Sequence, residues 1–417
     1  MRALVVSHGH PDFGPGGGEL AAYALFQGLS VHPDIGEARF LARTGEPRLP
    51  QGAIGCLRPG EYLIRRDIAD WPLLKARPDE APPGRGLRDF LAAFSPDVVF
   101  LHHVVHLGLD VIAEIRSALP KARIVLTLHD YLGICRNQGL MITRVSPGAP
   151  PLSSALCAES GIEPCARCFP EDGQAVAAER LARFRAAFAK VDAFVGPSVF
   201  LAERYRRWGL DPARLHVIAN GMARPGEPIA PPVFGPTLAL GFFGQARPPK
   251  GLHLALAALH HLEPVHRARI RLEVNASRIE AQEGWYRALV ERLAEPLREA
   301  GVLRWRGAYT RGELGGRMAA VDAVLVPSLW WENAPLVIDE AFAHGRPVLA
   351  ARLGGMAEAV RDGVGGLLFE PGDARALADV LRRLLMEEAL GPALAGNLTP
   401  PPTVSRSAEM YLDLARS

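Results

Sequence analysis

The sequence predicts an α/β protein of two domains, each built on a parallel sheet. The chain has 417 residues, which is more than a single hydrophobic core usually serves. Short apolar runs alternate with helical stretches in both halves, as in consecutive strand–helix–strand units. A Pro-rich stretch without periodicity, residues 223–236, predicts a linker. We therefore expect domains at residues 1–222 and 237–402.

The predicted strands are the short apolar runs that precede helical stretches. They are residues 3–7, 97–102, 123–128, 193–197 and 215–219, then 238–243, 269–274, 303–306, 323–326, 347–350 and 366–369. A last helix at 405–415 follows three prolines, and we expect the segment 403–417 to pack back onto the first domain. Ligands of such sheets bind beyond the carboxyl ends of the strands, so the loops after strands are the places to search for chemistry.

Composition favours a soluble enzyme. Hydrophobic residues make up 48% and charged residues 22%, and the net charge of +2 gives no reason to expect nucleic acid as a partner. No segment approaches the roughly 20 apolar residues that span a bilayer, and the first apolar run is too short for a secretory signal. Five cysteines, an odd number, argue against a disulfide scaffold. We expect a cytoplasmic protein.

A glycine-rich turn follows the first strand and precedes a helix. It includes Gly16, Gly17 and Glu19, and its backbone N–H groups could approach a phosphate or a sugar. The run is not a clean G-x-G-x-x-G, which disfavours a dinucleotide cofactor. A flexible turn is the alternative.

A second glycine turn, from Gly244 to Gly251, follows the strand at 238–243. It places Arg247 and Lys250 at the carboxyl end of that strand, where cations suit a diphosphate. A solvated basic loop is the alternative reading.

The most specific string is at residues 327–347. We predict that Asn333 caps a helix whose first turn holds Pro335 and which ends at Gly345. Glu332 then lies at the mouth of the helix and Glu340 more than a turn inside. Two carboxylates at these levels can hold different hydroxyls of an elongated ligand.

With these motifs, the chain resembles family four of the retaining glycosyltransferases of the GT-B fold. Trp331 to Glu340 is similar to the E-x7-E motif of that group, and the flanks agree at residues 307–309, 353–358, 362–368 and 370–373, with looser matches at 16–19, 128–131, 197–198 and 220–221. The resemblance implies two Rossmann-like domains with parallel sheets facing across a cleft. It also implies transfer of a sugar, with retention, from a nucleotide-diphosphate sugar to a hydroxyl acceptor in cell-surface glycan or polysaccharide synthesis.

The resemblance implies roles for residues of the second domain. Glu340 would hold the donor ribose hydroxyls, and Glu332 would lie beside the transferring sugar. Asn333 and Ala334 would offer backbone N–H groups next to Pro335.

Further roles concern the phosphates and the reacting sugar. Lys250 would neutralise the diphosphate in the turn that starts at Gly244. His129 would lie near the reacting sugar, and Gly16 and Gly17 would pack beside the phosphates. The family usually has Arg where this chain has Gln245. Arg247 is a candidate replacement, but on a strand-like path its side chain would point in a different direction from that of residue 245.

The expected partners are a nucleotide sugar and a glycan, lipid-linked or small-molecule acceptor. No Asp-x-Asp motif provides for a divalent ion, so we expect no catalytic cofactor. Two other classes stay open: a nucleotide-sugar epimerase on the same fold, and a non-catalytic nucleotide-binding protein.

Three further features have open readings. His102, His103 and His106 have metal-like spacing but also suit acceptor-lining or core positions. Residues 179–190 form a basic amphipathic helix that could contact the inner face of a membrane or simply pack with one solvated side. Cys135, Cys157, Cys165 and Cys168 could form a structural zinc site, or could be free or disulfide-paired thiols in an acceptor-side loop.

Overall fold

The computed structural model describes residues 1–14, 16–144, 155–158, 160–224 and 230–417. The chain divides into two compact units: Met1–Ala223 together with Pro402–Ser417, and Arg224–Pro401. Of the predicted linker, residues 225–229 lie outside the described residues. As the sequence predicts, both units are α/β structures with mainly parallel sheets.

The first unit contains a large twisted sheet with helices between its strands. Its strands are β1 (Arg2–Ser7), β2 (Glu37–Thr44), β3 (Ile54–Arg58), β4 (Glu61–Arg65), β5 (Ile68–Asp70), β6 (Lys75–Ala76), β7 (Val98–His102), β8 (Arg123–Thr127), β9 (Ala193–Gly196) and β10 (Leu215–Val217). Its helices are α1 (Gly17–Ser30), α2 (Leu87–Phe94), α3 (Asp110–Ala118), α4 (Ile162–Cys168), α5 (Gly173–Phe188) and α6 (Val199–Trp208).

The strand order of this sheet is β10-β9-β8-β7-β1-β2-β4-β3. All neighbours are parallel except β3 and β4, and β5 pairs with β6 as a small separate ribbon. The strands β1, β7 and β8 are adjacent, so the residues that follow them meet at one edge of the sheet. That edge carries His102 at the end of β7, with His8 and His129 just after β1 and β8.

The second unit contains a parallel sheet of order β13-β12-β11-β14-β15-β16. Its strands are β11 (Leu238–Gln245), β12 (Ile270–Ser277), β13 (Leu303–Trp305), β14 (Ala323–Val326), β15 (Val348–Ala351) and β16 (Gly366–Phe369). Its helices are α7 (Leu252–His260), α8 (Pro264–Arg267), α9 (Gly284–Glu299), α10 (Arg311–Ala319), α11 (Leu336–Ala343), α12 (Gly354–Ala359), α13 (Ala374–Met386) and α14 (Leu390–Gly396). The central strands β11 and β14 are neighbours, which brings the loops after them together.

The chain ends in α15 (Val404–Arg416), which belongs to the first unit. It packs on α1, where an added Cβ at Gly28 would be 2.9 Å from the Cβ of Ala408. Its Tyr411 is buried in the same core as Phe100 of β7 and donates to or accepts from Thr127 Oγ1 at 2.9 Å. The helix therefore supports the strands that carry the histidines.

Candidate active site

Glu332 is the most tightly held carboxylate of the second unit. Its Oε1 accepts hydrogen bonds from Lys250 Nζ at 2.7 Å, Ser328 Oγ at 2.7 Å and Trp330 Nε1 at 2.8 Å. The residue is only 4% exposed. A carboxylate oxygen that accepts from three donors is fixed in place.

Two glycines allow the backbones around Glu332 to approach each other. Gly251 has φ +74°, and a Cβ there would overlap the carbonyl oxygen of Pro327. Gly355 donates its N–H to Glu332 O at 2.7 Å, and a Cβ at Gly355 would overlap Asn333 O. The turn after β11, the loop after β14 and the start of α12 are therefore locked together around this carboxylate.

Lys250 ends a short 3₁₀ turn, Pro248–Lys250, that Arg247 precedes. Its ammonium lies 5.6 Å from the centroid of the Trp330 ring, in a cation–π arrangement, while it pairs with Glu332. Gly244, at the start of the turn, has φ +132° and open space where a side chain would be. The structure thus joins Lys250 to Glu332, and it leaves room beside the turn.

The expected cap of the next helix is wrong. The helix α11 begins at Leu336 with Pro335 as its N-cap, and no side chain caps it. Asn333 and Ala334 instead lie in the loop that leads to the helix, and the carbonyl of Asn333 faces Gly355. The helix therefore begins three residues after Asn333, which is too far along the chain for Asn333 to be its N-cap.

Glu340 lies in the middle of α11, and burial raises its pKa to about 7, with Arg311 lowering it and Asp339 raising it. Burial also raises the pKa of Tyr309, and the charge of Glu340 adds to that. Ionisation of a buried carboxyl group costs free energy when it has no partner, so hydrogen bonds from a ligand would stabilise the carboxylate of Glu340.

In the first unit, a histidine cluster lies at the carboxyl ends of β1, β7 and β8; it consists of His8, His102, His103, His106 and His129. His102 Nδ1 lies 2.9 Å from His129 Nε2. Burial lowers the pKa of His102 to about 3 and the pKa of His129 well below its ordinary value. Both rings are therefore neutral at physiological pH.

The pKa of His8 is shifted in the opposite direction from those of His102 and His129. Burial lowers its pKa, but the hydrogen bond and charge of Glu19, 3.1 Å away, outweigh burial and leave the pKa raised. Gly16 is the N-cap of α1, and a Cβ there would be 2.5 Å from Glu19 Oε2. The glycine turn of the sequence analysis therefore holds a carboxylate from its own helix, paired with His8.

Comparison with known proteins agrees with this architecture. The family described as Glycosyltransferase Family 4 matches residues 15–223, and the family described as Glycosyl transferases group 1 matches residues 237–387. The first of these matches covers half of the chain. The chain belongs to glycosyltransferase family 4.

Curated relatives of this family 4 chain are named D-inositol 3-phosphate glycosyltransferases. The protein of Actinosynnema mirum is 38% identical over 45% of this chain and 45% of its own length. The protein of Catenulispora acidiphila, named D-inositol 3-phosphate glycosyltransferase 2, is 33% identical over 55% of this chain and 54% of its own length. The chain thus spans about half the length of the curated relatives it matches.

Solved structures share the fold over the whole chain. HepE of Anabaena in complex with UDP and glucose has a TM-score of 0.65 at 18% identity, covering 100% of this chain and 99% of that one. Sucrose-phosphate synthase of Thermosynechococcus elongatus has a TM-score of 0.65 at 17% identity, covering 100% and 97%. These neighbours identify the GT-B fold that the resemblance implies.

The zinc site considered above for Cys135, Cys157, Cys165 and Cys168 stays a prediction. All five lie in the described part of the chain, and no disulfide joins any of them. Among the described residues, no three His, Cys, Asp or Glu side chains are placed to hold a metal ion, which also applies to His102, His103 and His106. His103 Nε2 instead lies 2.9 Å from Asp130 Oδ2 while its Nδ1 accepts the N–H of Val105.

The basic helix of the sequence analysis is α5. Arg180 donates to the carbonyl oxygens of Pro72 and Leu132, and Arg183 donates to Leu73 O and Asp110 Oδ1. Two of its arginines therefore hold protein loops. In the described ranges of the chain, no helix is both long enough and apolar enough to cross a membrane.

Several residues that build the site were not predicted from the sequence. Ser328 and Trp330 lie just before the E-x7-E motif and were given no role, although both donate hydrogen bonds to Glu332. His8 and Glu19 lie at the two ends of the glycine turn. His8 comes directly after β1, and this position after a parallel strand was the signal that could have identified it.

Proposed function

We propose that the protein is a retaining glycosyltransferase that moves a sugar from a UDP-sugar to a hydroxyl acceptor, without a metal ion. The arrangement around Glu332 carries this proposal, because it pairs the one lysine of the second glycine turn with a fixed carboxylate at the carboxyl ends of β11 and β14. Neighbours of the same fold are described with UDP, with UDP and glucose, and with UDP-glucose. This supports uridine as the nucleoside of the donor.

The donor side of the proposed site is the second unit, Arg224–Pro401. Glu340 would accept hydrogen bonds from the ribose hydroxyls. Burial raises the pKa of this carboxyl, and hydrogen bonds from a ligand would compensate for its lost hydration. Lys250 would exchange part of its contact with Glu332 for the diphosphate, with Arg247 as a second cation beside the open space at Gly244. The backbone N–H groups of Asn333 and Ala334, ahead of Pro335, would face the same anion.

The proposed reaction breaks the bond between the anomeric carbon and the β-phosphate oxygen. The acceptor oxygen attacks the anomeric carbon on the same face, and its proton passes to the departing phosphate oxygen. Glu332 would hold a hydroxyl of the transferring sugar and is a poor nucleophile, because its Oε1 already accepts from Lys250, Ser328 and Trp330. Lys250 would stabilise the charge that develops on the leaving diphosphate.

The acceptor side is the first unit, Met1–Ala223 with Pro402–Ser417. His129 would contact the reacting sugar as a neutral donor held by His102. Packing of Gly16 and Gly17 beside the phosphates stays a prediction, since Glu19 already lies against Gly16. We place this chemistry in cell-surface glycan or polysaccharide synthesis, in the cytoplasm; contact with the inner face of the membrane stays a prediction.

The test is a screen of UDP-sugars by thermal shift, followed by product analysis. UDP-sugars that stabilise the full chain are incubated with glycan acceptors, and the mass and anomeric configuration of the products are determined. A new glycoside with the donor's anomeric configuration supports the proposal. An isomerised UDP-sugar and no glycoside would identify an epimerase instead, and binding without any turnover would identify a binding protein.

A further inference from the structure

A pocket of about 450 Å³ opens beside the histidine cluster in the first unit. His106 belongs to both, since it lines the pocket and its ring lies 6.2 Å from the ring of His8. Its size is within the range of small-molecule sites. Whatever occupies this pocket therefore lies next to the residues that the proposed function assigns to the acceptor.

Part of the lining of the pocket is apolar and includes a tryptophan. The indole of Trp71 is 52% exposed and meets the ring of His106 edge-on at 5.4 Å between centroids. Leu74, Val105 and Leu132 also line the pocket. An indole left this exposed in a concave site offers a large, rigid apolar face to a ligand.

Arg136 and Arg180 also line the pocket and bring N–H donors that are fixed by contacts within the protein. Arg180 is held by the carbonyl oxygens of Pro72 and Leu132, at 2.7 and 2.5 Å. Arg136 pairs with Asp172 and lies over the Phe169 ring at 4.1 Å. The charge of Arg136 is thus neutralised inside the protein, and both guanidinium groups are held rigid.

We propose that this pocket binds a pyranose ring of the acceptor adjacent to the sugar that reacts, so that the acceptor is a glycoside of at least two rings. This rests on the proposed function. A pyranose has an apolar face of C–H bonds that packs on an indole and an edge of hydroxyls that accept from N–H donors, and the lining of the pocket includes both an indole and guanidinium groups. A phosphorylated polyol would find Arg180 as the lining cation without a carboxylate partner among the described residues, and that residue is 7% exposed and already donates to two carbonyl oxygens. An alkyl chain would leave the N–H donors unused.

The experiment measures binding of sugars to the full chain by saturation-transfer NMR, in the presence of UDP. The probes are maltose, cellobiose, lactose and melibiose, compared with glucose, D-inositol 3-phosphate and octanol. We expect at least one disaccharide to bind more tightly than glucose, with saturation strongest on the C–H groups of one ring. Trp71→Ala should weaken that binding about tenfold and Trp71→Phe only slightly, since a phenyl ring keeps an aromatic face.

The matched control is Trp285→Ala, which removes another partly buried indole, in the second unit, whose Nε1 donates to Glu283. It should leave disaccharide binding unchanged. The inference is overturned if none of the disaccharides binds, if Trp71→Ala binds them as the parent does, or if D-inositol 3-phosphate or octanol binds in their place with the same dependence on Trp71. Failure of the proposed function is seen separately, because the parent protein would then form no glycoside from any UDP-sugar and glycan acceptor, whether or not the disaccharides bind.

Discussion

Lys250 and Glu332 form an ion pair of 2.7 Å between the loops that follow two neighbouring strands of the second unit. The lysine side chain is 36% exposed and the glutamate side chain 6%, so the pair has one buried end and one end open to a ligand. Glu332 keeps Ser328 and Trp330 as donors if the lysine leaves. This arrangement lets Lys250 turn towards an anion without leaving a bare buried carboxylate.

Lys250→Ala should lower turnover roughly 100- to 1,000-fold, which is the usual effect of removing one preorganised charge-stabilising group. Folding should be retained, because Ser328 and Trp330 still bind Glu332. The measurement is UDP release with saturating donor. Lys75→Ala, which removes a half-exposed lysine paired with Glu179 in the first unit, is the control. Turnover within about threefold of the parent would exclude the role, and a larger loss in Arg247→Ala would transfer it to Arg247.

Glu340→Gln should weaken donor binding more than it slows chemistry. A carboxylate that holds ribose hydroxyls makes the same contact in the ground state and the transition state, so its loss appears mainly in KM. Calorimetry with UDP alone is the measurement. Asp339→Asn is a close control, since burial raises the pKa of this neighbouring carboxyl to about 7 as well and we assign it no ribose contact. Equal losses in the two variants would contradict the assignment.

The stability of the unliganded protein should depend on Glu340 in a pH-specific way. Its folded pKa of about 7 exceeds its ordinary value of 4.5, so the folded state binds more protons and stability falls as pH rises between these values. Below the ordinary pKa, the carboxyl is neutral in the folded and the unfolded state, so it does not change the free energy of unfolding. Glu340→Gln should therefore melt at the parent's temperature near pH 4.5 and above it at about pH 8. A constant difference at all pH values would show that ionisation of Glu340 is not the cause.

The sequence predicts the fold well where strands are buried on both faces. The strand β14, residues 323–326, coincides with its apolar run, and β1 differs by one residue. The sequence predicts nothing of β2 to β6. The strand at 37–44 carries Arg39 and Arg43 and is fully buried only in its middle, while β5 and β6 are too short to form an apolar run.

The same limit applies to the site. The E-x7-E string identifies Glu332 and Glu340 because a short motif on one loop and one helix is visible in the sequence. The contact of Gly355 with Glu332 and that of His102 with His129 join residues from different strands or helices. Such contacts depend on strand order, which local patterns do not contain.

Activity should persist in excess chelator without added magnesium or manganese. The proposed partners of the diphosphate are Lys250 and Arg247, whose charges need no metal ion. The measurement is UDP release with EDTA, followed by addition of each divalent ion. Full loss of activity that only a divalent ion restores would contradict a metal-independent mechanism, and Lys250→Ala rescued by magnesium would show that the ion can replace the ammonium.

The last prediction concerns the proton between His102 and His129. His102 Nε2 is buried and makes no hydrogen bond in the described part of the structure, whereas its Nδ1 lies 2.9 Å from His129 Nε2. A neutral imidazole has one N–H. If the proton of His102 is on Nδ1, it forms the hydrogen bond to His129; if it were on Nε2, it would be a buried donor without an acceptor. His102 should therefore donate to His129, whose own proton must then be on Nδ1.

Nitrogen-15 NMR of the histidine rings checks this assignment. His129 should show the Nδ1–H form, and His260, whose Nε2 lies 2.8 Å from Leu293 O, should show the Nε2–H form as an internal reference. Neither His102 nor His129 should titrate between about pH 5 and pH 8, because burial lowers the pKa of His102 to about 3 and that of His129 well below its ordinary value. In His102→Phe, the His129 ring should lose its single tautomer and turnover should fall. An Nε2–H signal for His129 in the parent protein would reverse the direction of the hydrogen bond and remove Nδ1–H as the group that His129 offers to the reacting sugar.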